Sequence, residues 1–116
     1  RIVIIDDSIV RGTTSEKLVD ILRKAGAKEI HFRVSSPIIK YPRYFGINIA
    51  SRKELIGGNK TVEEIREFIG ADSLAYLSID SLLKSLGKKN NFCLGCLKGV
   101  YPVSAPMEVD KERFEV

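Results

Sequence analysis

The sequence has no stretch of roughly 18 apolar residues, no apolar leader at its start and no lipidation signal, so neither a membrane-spanning helix nor a lipid anchor is expected. Internal repeats, low-complexity tracts and linkers are also missing, which leaves no boundary between separate globular units. Two cysteines are too few for a disulfide-built miniprotein, and histidine occurs once, at His31. Neither sign of charge dominates: 19 Lys and Arg stand against 15 Asp and Glu, a net +4. That balance falls short of a nucleic-acid-binding stripe but suits anionic ligands. Neither a nucleic-acid nor a membrane partner is expected.

What is present is an ordinary globular composition, 44% hydrophobic and 29% charged over 116 residues. Folding a chain of this length removes roughly two-thirds of its surface from water, enough for one core. Any catalytic machinery must therefore be compact or incomplete. The chain opens with Arg1 and then the β-branched run Ile2-Val3-Ile4-Ile5, as in a strand buried on both faces. An interior strand is a poor place to begin, so a C-terminal piece of a longer chain is expected.

Strand and helix signals alternate. A strand over 2–6 ends at Asp6-Asp7, and a polar, Gly-containing turn follows from Ser8 to Thr14. A helix is predicted over Ser15–Ala25: Thr13 and Glu16 have capping-box spacing, Leu18, Ile21, Leu22 and Ala25 give an apolar face, and Gly26 stops it. A second strand, Glu29–Ser35, turns Ile30, Phe32 and Val34 inward and His31 and Arg33 outward, which makes a βαβ unit with parallel pairing. Mid-strand His31 reads as a solvated or packed residue rather than a base. A short helix is predicted at Ser51–Ile56, before Gly57-Gly58. A second capping box, Thr61 and Glu64, opens a helix that ends at Gly70. A strand over Ser73–Leu77 and a helix over Ile79–Leu86 follow, and from Lys88 onward the chain reads as loop with an extended piece at Val100–Val103.

The turn after the first strand carries most of the chemistry. In open α/β sheets ligands bind outside the carboxyl ends of the strands. There the backbone N–H groups of Ser8, Ile9, Val10, Arg11, Gly12, Thr13 and Thr14, with the Ser8, Thr13 and Thr14 hydroxyls, can converge on a phosphate at a helix N-terminus. Gly12 lets the backbone approach closely. Asp6 and Asp7 stand beside that phosphate, able to accept from ribose hydroxyls or to hold Mg²⁺. Acidic residues that merely end a strand and a threonine that merely caps a helix are the alternative, and Arg11 reads equally as a phosphate contact or a solvated side chain. No Walker-type lysine is present.

The segment Val3-Ile4-Ile5-Asp6-Asp7-Ser8-Ile9-Val10-Arg11-Gly12-Thr13-Thr14 resembles the phosphoribosyl pyrophosphate (PRPP) signature of type I phosphoribosyltransferases. The likeness extends through Ala25-Gly26-Ala27, Ser35-Ser36-Pro37, Tyr44-Phe45-Gly46-Ile47, Glu54-Leu55-Ile56, Val62-Glu63-Glu64-Ile65-Arg66, Ile69-Gly70-Ala71-Asp72-Ser73-Leu74 and Gly99-Val100-Tyr101-Pro102. Over essentially the whole chain it is similar to the C-terminal part of the glutamine PRPP amidotransferase family. The resemblance implies an α/β, three-layer type I phosphoribosyltransferase-like fold with a mostly parallel sheet, represented here by a C-terminal portion. Residues 1–87 would be the later half of the phosphoribosyltransferase domain and 88–116 a tail carrying the cysteines.

The same resemblance implies a cytoplasmic glycosyltransferase of de novo purine synthesis that makes 5-phosphoribosylamine from PRPP and glutamine-derived ammonia. In that reading Asp6 and Asp7 contact the ribose hydroxyls and Mg²⁺, and Ser8 to Thr14 hold the 5′-phosphate. It further implies purine nucleotide inhibitors, a glutaminase domain on the same full-length chain and a homo-oligomer. No catalytic residue is expected within this segment, which alone should be inactive. A salvage-type purine or pyrimidine phosphoribosyltransferase, or a non-catalytic sensor of PRPP or nucleotide, would share the acidic turn.

Cys93 and Cys96 form a Cys-Leu-Gly-Cys knuckle, whereas zinc or an iron–sulfur cluster needs four ligands. One branch of the family is implied to hold a [4Fe-4S] cluster with such a pair and two further cysteines, one of them after the proline matching Pro42. Arg43 stands at that position. A cluster completed from elsewhere, two reduced thiols and a disulfide all remain open on the sequence.

Overall fold

A computed structural model describes residues 1–44, 52–87 and 91–104. Strand β1 (Ile2–Asp6) leads to helix α1 (Thr13–Lys24) and strand β2 (Ile30–Val34). A 3₁₀ turn at Arg52–Glu54 precedes the single helical turn α2 (Ile56–Asn59). Helix α3 (Val62–Ile69), strand β3 (Ser73–Tyr76), helix α4 (Ile79–Ser85) and the short helix α5 (Gly95–Lys98) complete the order. Phe45, Gly46, Ile47, Ser51, Lys88 and residues 105–116, named in the sequence reading, lie outside the described residues.

The strands form one parallel sheet in the order β1-β2-β3. Its register puts Ile4 beside Phe32 and Phe32 beside Leu74, so one apolar row crosses the sheet. Val19 of α1 and Ile65 and Ile69 of α3 close over that row, and Ile30, Phe32 and Ile65 are completely buried. Burying a side chain of this size contributes roughly 1.5–3 kcal/mol. The α/β class, the parallel pairing and the inward set Ile30, Phe32 and Val34 follow the sequence pattern.

β1 departs from it. Only alternate residues of this strand are covered, and Val3 and Ile5 are 60% and 77% exposed. The continuous apolar run predicted burial on both faces, but the described helices α1 and α3 pack against the Ile4 side alone.

Helix boundaries reveal which local signals act. Thr61 and Glu64 form the predicted box in full: Thr61 Oγ1 accepts from the Glu64 N–H at 3.2 Å, and Glu64 Oε1 accepts from the Thr61 N–H at 3.3 Å. Gly70, at φ 77°, ends α3 in the left-handed conformation that a side chain would disfavour. The Thr13–Glu16 box does not form: α1 begins at Thr13, two residues before the predicted start, and its N-cap is Gly12, with no side-chain cap. Gly57-Gly58 do not terminate a helix but lie inside α2. The segment after Lys88 is not wholly loop, because α5 carries Cys96, and no strand is present over Val100–Val103.

Candidate functional site

The residues from Asp6 to Ser15 line a concavity of about 300 Å³ at the carboxyl end of β1. All the residues assigned to the phosphate turn, together with both carboxylates, are brought to one place. The turn is not floppy at its centre: Ile9 is buried in the main core beside Ile56. Its neighbours Ser8 and Val10 are half-buried, and Arg11 and Asp7 are exposed.

The first intrahelical bond of α1 runs from the Glu16 N–H to the Gly12 carbonyl at 2.9 Å. The N–H groups of Thr13, Thr14 and Ser15 thus have no acceptor within the helix, and the helix dipole adds positive potential there. Such an end accepts a phosphate oxygen without any cationic side chain. Gly12 is required on two counts. Its φ of 82° is left-handed, and a Cβ would stand 2.9 Å from Ile56 Cδ1 and 3.1 Å from Phe68 Cε1.

The carboxylates are oriented by local bonds. Asp6 Oδ1 accepts from the Asp7 N–H at 2.9 Å, and Asp7 Oδ1 accepts from Ser8 Oγ at 3.3 Å. The Asp6 carbonyl is held by both the N–H and the hydroxyl of Ser35, at 2.9 and 3.1 Å. Mg²⁺ is commonly held by one or two carboxylates together with substrate phosphates rather than by an all-protein cage. Adjacent Asp6 and Asp7 fit that use. Among the described residues no group of three or more His, Cys, Asp or Glu side chains could hold a metal alone.

Arg11 lies at the exposed rim of the concavity and is engaged in an ion pair. Its Nη2 donates to Glu54 Oε2 at 2.7 Å. Ser35 and Glu54 escaped the sequence reading because they lie 29 and 43 positions from their partners. Their only sequence signal is the wider likeness in Ser35-Ser36-Pro37 and Glu54-Leu55-Ile56. His31 is neither free nor packed in apolar surroundings: Nε2 is 2.8 Å from Glu29 Oε1 and Nδ1 2.7 Å from Ser73 Oγ.

Cys93 is exposed, Cys96 is half-buried, and both are free thiols. The Cys96 carbonyl accepts from the N–H groups of Lys40 and Tyr41 at 3.0 and 3.1 Å, so α5 lies against the loop that carries Arg43. Tyr101 reinforces the contact, donating its hydroxyl to the Pro42 carbonyl at 2.7 Å and meeting Tyr44 edge-on at 5.0 Å between ring centroids. A guanidinium has no lone pair to ligate iron. With two thiols and an arginine where a third cysteine is implied, the described residues do not fit a [4Fe-4S] cluster.

No protein-family model matches the chain. It is 57% identical over 112 residues to an amidophosphoribosyltransferase of Methanothermobacter thermautotrophicus, covering 96% of this chain and 24% of that protein. A chloroplastic amidophosphoribosyltransferase of Arabidopsis thaliana is 55% identical over 114 residues, covering 97% of this chain and 20% of the relative. The solved glutamine PRPP amidotransferase of B. subtilis complexed with ADP and GMP superimposes with a TM-score of 0.84 at 46% identity, covering 95% of this chain and 25% of that one. The chain thus spans about a quarter of the length of the curated relatives it matches. No helix among the described residues is long and apolar enough to cross a membrane.

Proposed function

Because this chain belongs to the amidophosphoribosyltransferase family, we propose that it supplies the PRPP-binding part of a purine-synthesis glycosyltransferase in which ammonia displaces pyrophosphate from C1 of PRPP. The observation that carries this reading is the juxtaposition of Asp6 and Asp7 with the uncapped N-terminus of α1 across one concavity. A sugar phosphate bearing adjacent hydroxyls matches both ends of that site.

In this reading the N–H groups of Thr13, Thr14 and Ser15, with the Ser8, Thr13 and Thr14 hydroxyls, receive the 5′-phosphate. Ile9, Val10 and Gly12 shape the backbone around it. Asp6 and Asp7 accept from the ribose hydroxyls and fix the ring. Bound Mg²⁺ would be held by the same two carboxylates together with the ligand, and it supplies charge neutralisation for the departing pyrophosphate. What these residues contribute is positioning: a ring held at both ends presents C1 in one orientation, which removes much of the entropic part of the barrier. No general base is assigned within this segment, and alone it is expected to be inactive.

The division into residues 1–87 and a cysteine-bearing tail at 88–116 is proposed on the same basis. So are a glutaminase domain in the full-length protein, purine nucleotide inhibitors and a homo-oligomer; the B. subtilis relative was solved with ADP and GMP. A cytoplasmic location agrees with the two free thiols. The likeness along the whole chain at 46–57% identity favours the amidotransferase over a salvage enzyme sharing only the acidic turn. Calorimetry of the full-length protein with PRPP and Mg²⁺ tests the site. Asp6→Asn combined with Asp7→Asn should abolish Mg²⁺-dependent binding, and unchanged affinity would sink the assignment.

A further inference from the structure

The phosphate turn is held from outside by one short segment. Three different contacts converge: the Ile56 N–H donates to the Val10 carbonyl at 2.9 Å, Arg11 Nη2 donates to Glu54 Oε2 at 2.7 Å, and Ile56 Cδ1 lies so close over Gly12 that a Cβ there would reach 2.9 Å. Consecutive residues of the turn, Val10, Arg11 and Gly12, are thus each engaged, by a backbone bond, an ion pair and an apolar contact in that order. The anchoring side is firm. Leu55, between the two clasping residues, is completely buried with Ile39, and Gly57 sits where a Cβ would stand 2.8 Å from the Ile39 carbonyl oxygen.

We propose that the Glu54–Ile56 segment is a clasp that fixes the phosphate turn for its ligand, with Glu54 a positioning residue acting through Arg11. This rests on the reading of the turn as a PRPP site and adds to it a residue outside the turn. Glu54 reaches the turn through the Arg11 guanidinium. Its carboxylate fixes the direction of Arg11, and the Arg11 backbone lies directly before Gly12, the N-cap of the helix whose free N–H groups form the cradle. Loss of the ion pair releases one of three holds, so the turn should sample more conformations and bind its anion less tightly, while the chemistry at C1 proceeds as before once the ligand is seated.

The test is a kinetic and hydrogen-exchange comparison in the full-length protein with ammonia as nitrogen donor. Partly exposed ion pairs give modest free energies, so Glu54→Ala should raise KM for PRPP by up to about fivefold with kcat unchanged. It should also speed exchange at the amides of Ile56 and Glu16, which donate to the Val10 and Gly12 carbonyls. Glu54→Gln, which keeps an acceptor oxygen, should recover part of both effects. Placed on an Arg11→Gln background, Glu54→Ala should raise KM by less than it does in the wild-type background, because the Arg11–Glu54 pair is already broken. Additive penalties, an unchanged KM, or a loss confined to kcat would each overturn the clasp. If the wild-type protein fails to bind PRPP, the functional reading falls, and exchange alone judges the clasp: unaltered protection at the Ile56 and Glu16 amides in Glu54→Ala then refutes it.

Discussion

Arg23, in the last turn of α1, places Nη2 2.6 Å from Oδ2 of Asp72, which lies between α3 and β3 and 49 positions further along the chain. The same Asp72 oxygen accepts from the Ile30 N–H at 2.7 Å, and Arg23 also donates to the carbonyls of Lys28 and Gly70. One side-chain pair therefore ties the end of a helix to the starts of two strands.

This arrangement sets an acid limit on stability. The Ile30 N–H first, and the Arg23 guanidinium second, hold the Asp72 carboxyl below its ordinary value of 3.8. A carboxyl whose folded value is depressed contributes fully above its unfolded value and loses that contribution as pH falls through the folded one. Urea midpoints should hold near neutrality and decline below about pH 4, and Asp72→Asn should flatten part of that decline. The remaining slope is expected from Glu29, lowered by its hydrogen bonds to Arg1 and then His31, and from Glu63, lowered by Arg66. An identical acid profile in the variant would show that Asp72 carries no such linkage.

Gly12→Ala tests the turn itself. A left-handed non-glycine residue costs roughly 1–2 kcal/mol, and the new methyl meets Ile56 as well. A lowered thermal midpoint and weaker PRPP binding are expected. Adding Ile56→Val removes the nearest clashing atom and should recover part of the packing loss, leaving the Phe68 contact and the backbone part. Full recovery would show that φ at this position is unimportant.

Thr61→Ala removes one half of the reciprocal cap on α3. Loss of such a cap costs about 0.5–2 kcal/mol. Thr13→Ala, by contrast, removes no cap from α1 and should leave thermal stability nearly unchanged, although its hydroxyl belongs to the proposed phosphate cradle. Equal destabilisation by the two threonine variants would contradict the difference between the helix starts.

For the cysteines, the expectation is two titratable thiols and no cluster. Anaerobic purification of the full-length protein followed by iron and acid-labile sulfide analysis measures this directly. Stoichiometric iron would show that ligands beyond Cys93 and Cys96 compensate for Arg43.

The sequence was most legible where cause and effect are neighbours. Thr61 and Glu64 act on each other across one helical turn, and Gly70 ends the same helix by its own backbone preference, so their roles could be read directly. Thr13 and Glu16 have the same spacing yet form no box. Gly12 takes the cap position instead, and the contact that favours a residue without a side chain there comes from Ile56 and Phe68. The acidic turn was legible as a candidate site because the groups that line the concavity are consecutive. The groups that brace it, Ser35, Glu54 and Ile56, were not, since their action depends on chain separations that periodicity does not encode. Val3 and Ile5 stand apart from the pattern because a run of β-branched residues reports what a strand prefers, whereas exposure depends on which elements pack against it, and the described residues cover one face only.

The exposure of Val3 and Ile5 has a consequence for the isolated chain in solution. Among the described residues β1 pairs on one side alone, with β2, so it combines a free row of backbone donors and acceptors with two outward β-branched side chains. Such an edge is a template for strand addition. Produced as an isolated 116-residue polypeptide, the chain should self-associate with rising concentration. Val3→Lys with Ile5→Lys should keep it dispersed without disturbing the apolar row on the other side of the sheet.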